Sequence, residues 1–270
     1  MDSDRDGDMN LVLSSIMKDC QDIVDPYTQR VRKRFASAWI ISPVGAGKTS
    51  YGLNVTAGVF AESTPTINDW KKAFAATFLS VDEIFNYMGK AIEHRQRIPI
   101  LVLDDAGFWL HKLTWWKAEK VAFMSFFQFV RTVCSAIIFT SPVDELPKPM
   151  RKMINYRVLI QPLDWESAKE KLERGKANID EVVEKLKEEG RNPYLWNLAK
   201  GYRLNVLPSF FQRIKRSFYD LYPNDIPAII YDEYEERRLP TVEDAFKEWK
   251  KELRGKTEEI KGKLAESSTP

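Results

Sequence analysis

Two short stretches of this chain concentrate the side chains that could do chemistry. The first is Ser42, Pro43, Val44, Gly45, Ala46, Gly47, Lys48, Thr49 and Ser50. Gly45 and Gly47 can take backbone angles closed to other residues, which lets the chain approach a polyphosphate. The N–H groups of such a loop, and the positive end of a helix that follows it, converge on phosphate oxygens. Lys48 is spaced to reach the β- and γ-phosphates of a triphosphate, and the Thr49 hydroxyl to take one position on Mg²⁺. Residues Pro43 through Ser50 are therefore the candidate phosphate-binding set. The second stretch is Asp104-Asp105. Asp104 would hold Mg²⁺, directly or through water, and Asp105 is placed to orient and deprotonate an attacking water.

Each stretch needs an element to hold it. Ala38-Trp39-Ile40-Ile41 is a short apolar run of strand character and Thr49 onward can begin a helix, so the glycine loop falls at a strand-to-helix turn. Ile98 to Leu103 is apolar on both faces, as expected in the middle of a parallel sheet, and the two aspartates end that strand at the edge where ligands bind in such sheets. Lys72 to Ser80 reads as a further strand, and Ser80 with Glu83 as a capping box opening a helix to about Arg97. Residues 117–133 are apolar nearly all round and read as one largely buried helix. Ala136 to Ser141 is a fourth strand ending in hydroxyls, and Arg157 to Ile160 is a fifth. A polar-ended strand placed after the acidic one resembles the additional-strand P-loop ATPases, in which that residue senses the γ-phosphate, and the resemblance makes Thr140 the candidate. In ring-forming ATPases an arginine near this place reaches the neighbouring subunit's nucleotide, so likeness to them would make Arg151, between the fourth and fifth strands, the first choice, with Arg157 and Arg131 the alternatives.

The flanks are read more coarsely. Residues 1–8 are too polar to order themselves, and Leu11 to Arg34 reads as a helix ending in the basic run Arg30, Arg32, Lys33 and Arg34. Asp164 to Gly190 reads as a solvated helix pair broken at Gly175. Arg191 to Tyr222 sets six Lys or Arg residues among Tyr194, Trp196, Tyr202, Phe210, Phe211, Phe218, Tyr219 and Tyr222. That composition suits a DNA surface, cations on phosphates and aromatics on bases, and equally a small domain's own core. Thr241 is expected to cap a last helix with Val242, Ala245, Phe246, Trp249 and Leu253 on one face, followed by a fraying tail. The domain reading is 1–35, 36–165, 166–254 and 255–270.

Bulk properties narrow the field. A net charge of +2 over 270 residues does not itself demand a nucleic-acid partner. Two cysteines and two histidines argue against a Cys/His zinc site and for a reducing, cytoplasmic setting, and no apolar run suggests a membrane span or signal peptide.

With both motifs and the polar-ended fourth strand in view, the first 165 or so residues resemble an additional-strand P-loop ATPase. The likeness is to AAA+-like replication initiators and helicase loaders, and to small ATPases of viruses and plasmids of hot-acid archaea. Ser42 stands where the usual pattern has Gly, and Asp105 where many relatives have Glu. The resemblance implies an α/β fold with a five-strand parallel core flanked by helices, a smaller and mainly helical C-terminal region, ATP and Mg²⁺ as ligands, and a homo-oligomer acting on DNA. No Asn-Lys-x-Asp element is present, so ATP is expected over GTP. Translocation along DNA and an ATP-switched protein adaptor are the competing functions.

Overall fold

The computed structural model describes residue 16 and residues 23–24, 31–32, 34–61, 64–110, 118–142, 146–206 and 212–267. The expectations for residues 1–8 and for most of the 11–34 helix lie outside the described residues. Within that span Ile23–Val24 (β1) and Val31–Arg32 (β2) pair as a short antiparallel ladder, not as helix.

Ala36–Ile41 (β3), Thr77–Phe78 (β4), Leu101–Leu103 (β5), Ala136–Ser141 (β6), Tyr156–Leu163 (β7), Trp196–Val206 (β8) and Gln212–Pro223 (β9) form one seven-stranded sheet, ordered β4-β5-β6-β3-β7-β8-β9. The pairings from β4 to β7 are parallel, and β8 and β9 add antiparallel to the β7 edge. The expected five-strand parallel sheet is thus corrected to a mixed sheet of seven, and the stretch expected to be helical after residue 190 holds its two longest strands. Pairing brings β6 between β3 and β5, so the hydroxyl-ended strand separates the loop-bearing strand from the acidic one.

Successive β6 residues go to opposite faces, as the two-residue strand period requires. Ile137 and Phe139 join Trp39, Leu101 and Leu103 on one face. There they meet Ile84 and Met88 of Val81–Glu93 (α3) and Phe123 and Phe127 of Ala118–Phe127 (α5). Ile138 joins Ala38, Ile40, Val102 and Val158 on the other face, against Tyr51 and Val55 of Lys48–Phe60 (α1). Helices cover both faces, which is why β6 is buried at every residue.

Local signals explain most boundaries. The expected 72–80 strand shrinks to β4 because Thr66 and Asp69 close a reciprocal cap that starts Ile67–Ala75 (α2), carrying Lys72 and Ala73 into helix. Ser80 Oγ accepts from the Glu83 amide, as expected, to open α3. Past β5, Ala106–Trp109 (α4) is a single turn. The helix read over 117–133 breaks into α5 and Val130–Val133 (α6). It is also less buried than expected: Phe123 and Phe127 are interior, while Phe129 is 65% exposed. Lys148–Met153 (α7) connects β6 to β7. Trp165–Arg174 (α8) and Ile179–Glu188 (α9) are the expected helix pair, capped by Asp164 and Asn178.

The chain divides into two compact units, residues 1–230 and 231–270. Ala228–Ser267 (α10) runs through Pro240, so Thr241 lies inside a helix and does not cap a new one, and helix continues where a fraying tail was expected. A proline forfeits its own amide bond, yet the helix on either side of it is kept. Among the described residues no helix is long and apolar enough to cross a membrane.

Candidate functional site

Parallel pairing holds β3 between β6 and β7, and the loop begins where that ladder ends. Ser42 explains its own presence. Its Oγ accepts from the Ile160 amide at 2.8 Å and lies 3.2 Å from the Ile160 carbonyl oxygen, so the hydroxyl extends the contact with β7 one residue past the last paired rung. A glycine there could not do this. Gly45 and Gly47 have φ of 80° and 84°, the left-handed region in which a side chain is strained. Gly47 is also the residue on which α1 starts, and the first turn of α1 carries no acidic residue to neutralise its dipole.

Lys48 is 7% exposed. Its Nζ donates to the Ser42 and Pro43 carbonyls at 2.8 and 2.7 Å, which holds a positive charge within the loop. Val44, at 85% exposure, crowns the loop facing solvent, and Ala46 closes a turn by donating to Pro43 O at 3.3 Å.

Beside the loop the structure gathers three residues from three elements. Thr49 Oγ1, in the first turn of α1, lies 3.0 Å from each oxygen of Asp104, the fully buried aspartate that follows β5. Thr140 Oγ1, on β6, donates to Asp104 Oδ1 at 2.5 Å and accepts from the Asp105 amide at 2.9 Å. Thr140 can do both because its strand runs between the other two. Asp105 itself has φ 49° and ψ 36°, a left-handed conformation that a short polar side chain tolerates at a modest cost. It starts α4 without a side-chain cap, and the chain after it presses on β6 so closely that a Cβ on Gly107 would strike Ser141 Oγ.

A hydroxyl and a carboxylate are hard oxygen donors of the kind Mg²⁺ takes, with phosphate oxygens and water filling its other positions. Among the described residues no group of three or more His, Cys, Asp or Glu stands together. Thr49 and Asp104, a hydroxyl 3.0 Å from both oxygens of a carboxylate, could supply two of the oxygen donors.

A further set of contacts comes from β8 and β9. Asn197 Nδ2 donates to Ala46 O at 3.0 Å and to the Tyr222 hydroxyl at 3.1 Å, and that hydroxyl donates to Gly47 O at 3.0 Å. Tyr51 OH donates to Asp220 Oδ2 at 2.6 Å, and the Tyr51 and Tyr222 rings lie 5.0 Å apart. Burial pushes both phenols above their ordinary pKa, and the charge of Asp220 adds to the shift at Tyr51. Sequence reasoning missed these residues. Their only signal was a pair of polar side chains, Asn197 and Asp220, set among aromatics, and that became legible only once β8 and β9 paired.

No family model matches this chain. Over 109 residues, 40% of its length, it is 33% identical to "Uncharacterized protein B-251" of Sulfolobus spindle-shape virus 1, and the match spans 43% of that protein, less than half. Among solved structures it is similar to the flagellar accessory protein FlaH of Methanocaldococcus jannaschii, at 10% identity and TM-score 0.34, covering 67% of this chain and 90% of that one. It is also similar to the N-terminal domain of the zonular occludens toxin of Neisseria meningitidis, at 13% and 0.34, covering 73% and 98%. Likenesses this distant leave the weight on the geometry of the site.

The remaining candidates are dispersed. Arg151 lies on α7, half-buried. Arg157, one alternative, stacks its guanidinium over Trp39 at 5.1 Å within the fold, and Arg131, the other, is exposed on α6. Of the basic and aromatic stretch, Arg191 is buried over Trp70, and Trp196, Phe218 and Tyr222 are core. Residues 207–211 lie outside the described residues.

Proposed function

We propose that this chain is a Mg²⁺-dependent P-loop ATPase. The observation that carries the reading is the contact of Thr49 with Asp104: a hydroxyl at the start of the glycine-loop helix and a buried strand-end carboxylate meet beside the loop that holds Lys48. A triphosphate seated on the loop amides would meet the Lys48 ammonium at its outer phosphates. Thr49 and Asp104 would hold the ion, which supplies positive charge to the phosphate oxygens when bound. Asp105 orients a water and takes its proton as the water oxygen bonds to the γ-phosphorus; the bond from that phosphorus to the β–γ bridging oxygen breaks, and ADP leaves with the electron pair. Thr140 keeps Asp104 and the Asp105 backbone in register.

Action on DNA, in replication initiation or helicase loading, is the second tier of the proposal, with translocation and an ATP-switched adaptor as alternatives. It is supported by the composition of β8 and β9, which carry Lys200, Arg203, Arg213, Lys215 and Arg216 along the chain. The relative encoded by a virus is in keeping with a role on a viral genome.

Measured ATPase rates, with and without single- and double-stranded DNA, test both tiers. Lys48→Ala is expected to abolish ATP binding and turnover. Asp105→Asn is expected to bind ATP and lose turnover by about 100-fold or more, the scale of a positioned general base. Turnover that survives both changes removes the ATPase reading; a rate indifferent to DNA removes only the second tier.

A further inference from the structure

We infer that the β8–β9 hairpin positions the phosphate loop, with Asn197 and Tyr222 as positioning residues that set its affinity for Mg-ATP. The inference rests on the nucleotide reading above and adds residues that no phosphate-loop pattern contains. A loop that turns its amides toward an anion turns carbonyls the other way, and those carbonyls need donors of their own. Here two of the donors belong to strands that follow more than a hundred residues later: Asn197 serves Ala46 O, and Tyr222 adds a second bond to Gly47 O, which also accepts from the Tyr51 amide at 2.9 Å. The Asn197 amide lies within reach of both Ala46 O and the Tyr222 oxygen, and Tyr222, having spent its one proton on Gly47 O, is left to accept from Asn197. The result is a directional chain of bonds ending on the two residues that precede Lys48.

Three more features fix the hairpin in that position. A Cβ on Gly47 would run into Asn224 Oδ1 and Asn197 Nδ2, so this glycine is needed for the approach of the hairpin as well as for its own backbone angle. The Tyr51 to Asp220 bond ties the first turn of α1 to the same strand. Asn54 Nδ2, one turn further along α1, lies 3.5 Å from Pro223 O. Loop and helix start are therefore held together from the last residues of β9, and loosening the carbonyls would let the amides lose their common aim.

Tyr222→Phe removes the hydroxyl and keeps the ring against Tyr51. With the bond to Gly47 O and the bond from Asn197 both lost, the Kd and KM for Mg-ATP are expected to rise at least about fivefold, and the loss to fall on KM and not on kcat. Asn197→Asp takes the donor from Ala46 O and adds a negative charge beside the anion site, so a rise of at least about tenfold is expected. Thermal melting without nucleotide, run alongside, separates the alternatives: a merely structural role would lower the melting temperature and leave Kd unchanged. Folded Tyr222→Phe protein that binds Mg-ATP within twofold of the parent overturns the inference while the nucleotide reading stands, and Asn197→Asp decides in the same way should Tyr222→Phe fail to fold. A parent protein that binds no Mg-ATP overturns both.

Discussion

At the scale of single residues, the departure from the usual phosphate-loop pattern turns out to be a structural gain. Ser42 bridges to both backbone groups of Ile160, a contact formed only because β7 lies against β3. Restoring the common residue is therefore expected to harm the fold. Ser42→Gly forfeits these bonds and adds backbone freedom to the unfolded chain, so equilibrium unfolding in urea should show a loss of about 1–2 kcal/mol. An unchanged or higher midpoint would mean the bridge is worth nothing. That Lys48 and Thr49 follow a glycine turn and Asp104 ends an apolar strand was legible by type and spacing, because those marks are local. Asn197, Tyr222 and Asp220 were not, because a hydrogen bond between residues 175 positions apart, as for Tyr222 and Gly47, leaves no mark at either end.

At the scale of elements, β3, β6 and α3 were readable because each carries a local signal: an unbroken apolar run, or a cap three residues before its partner. The hairpin lacked such a signal. In β8 the consecutive residues Trp196, Asn197, Leu198 and Ala199 are all buried, so no alternation of apolar and polar positions announces a strand. Where the hairpin meets α1, two buried phenols, Tyr222 of the hairpin and Tyr51 of the helix, give the contact a pH signature. The ordinary phenol pKa is 10.0, and in the folded protein both Tyr51 and Tyr222 are raised above it. Their contribution is complete below that value and is lost above it, as the unfolded chain gives up protons that the folded one retains. Each such group steepens the fall of stability by about 1.4 kcal/mol per pH unit. Denaturant unfolding between about pH 10 and pH 11 should therefore show a shallower decline for Tyr222→Phe than for the parent, and equal slopes would place the phenol in water.

At the scale of the whole molecule, the homo-oligomer that the resemblance implies would make the site depend on a second copy of the chain. If Arg151 completes a neighbour's site, ATP turnover per subunit should rise with protein concentration. Arg151→Ala protein that still binds ATP and assembles should then lose turnover by about 10³-fold, the scale of an arginine supplied across an interface. A per-subunit rate flat over the concentration series would assign catalysis to one chain. Arg157 is the poorer candidate for this role, since its guanidinium is spent on Trp39 inside the sheet's own packing.

What the sequence determined by itself was the candidate site and its immediate supports: glycines at Gly45 and Gly47, a lysine and hydroxyl following them, paired acids closing an apolar strand. These depend on neighbours within a few positions, where periodicity and capping act. Only the tertiary structure decided that the sheet has seven strands, that Thr140 stands between Thr49's helix and Asp105, and that the loop is gripped from behind by a hairpin. Those outcomes follow from strand order and register, which depend on burying apolar faces across the whole domain, and no stretch of chain encodes that alone.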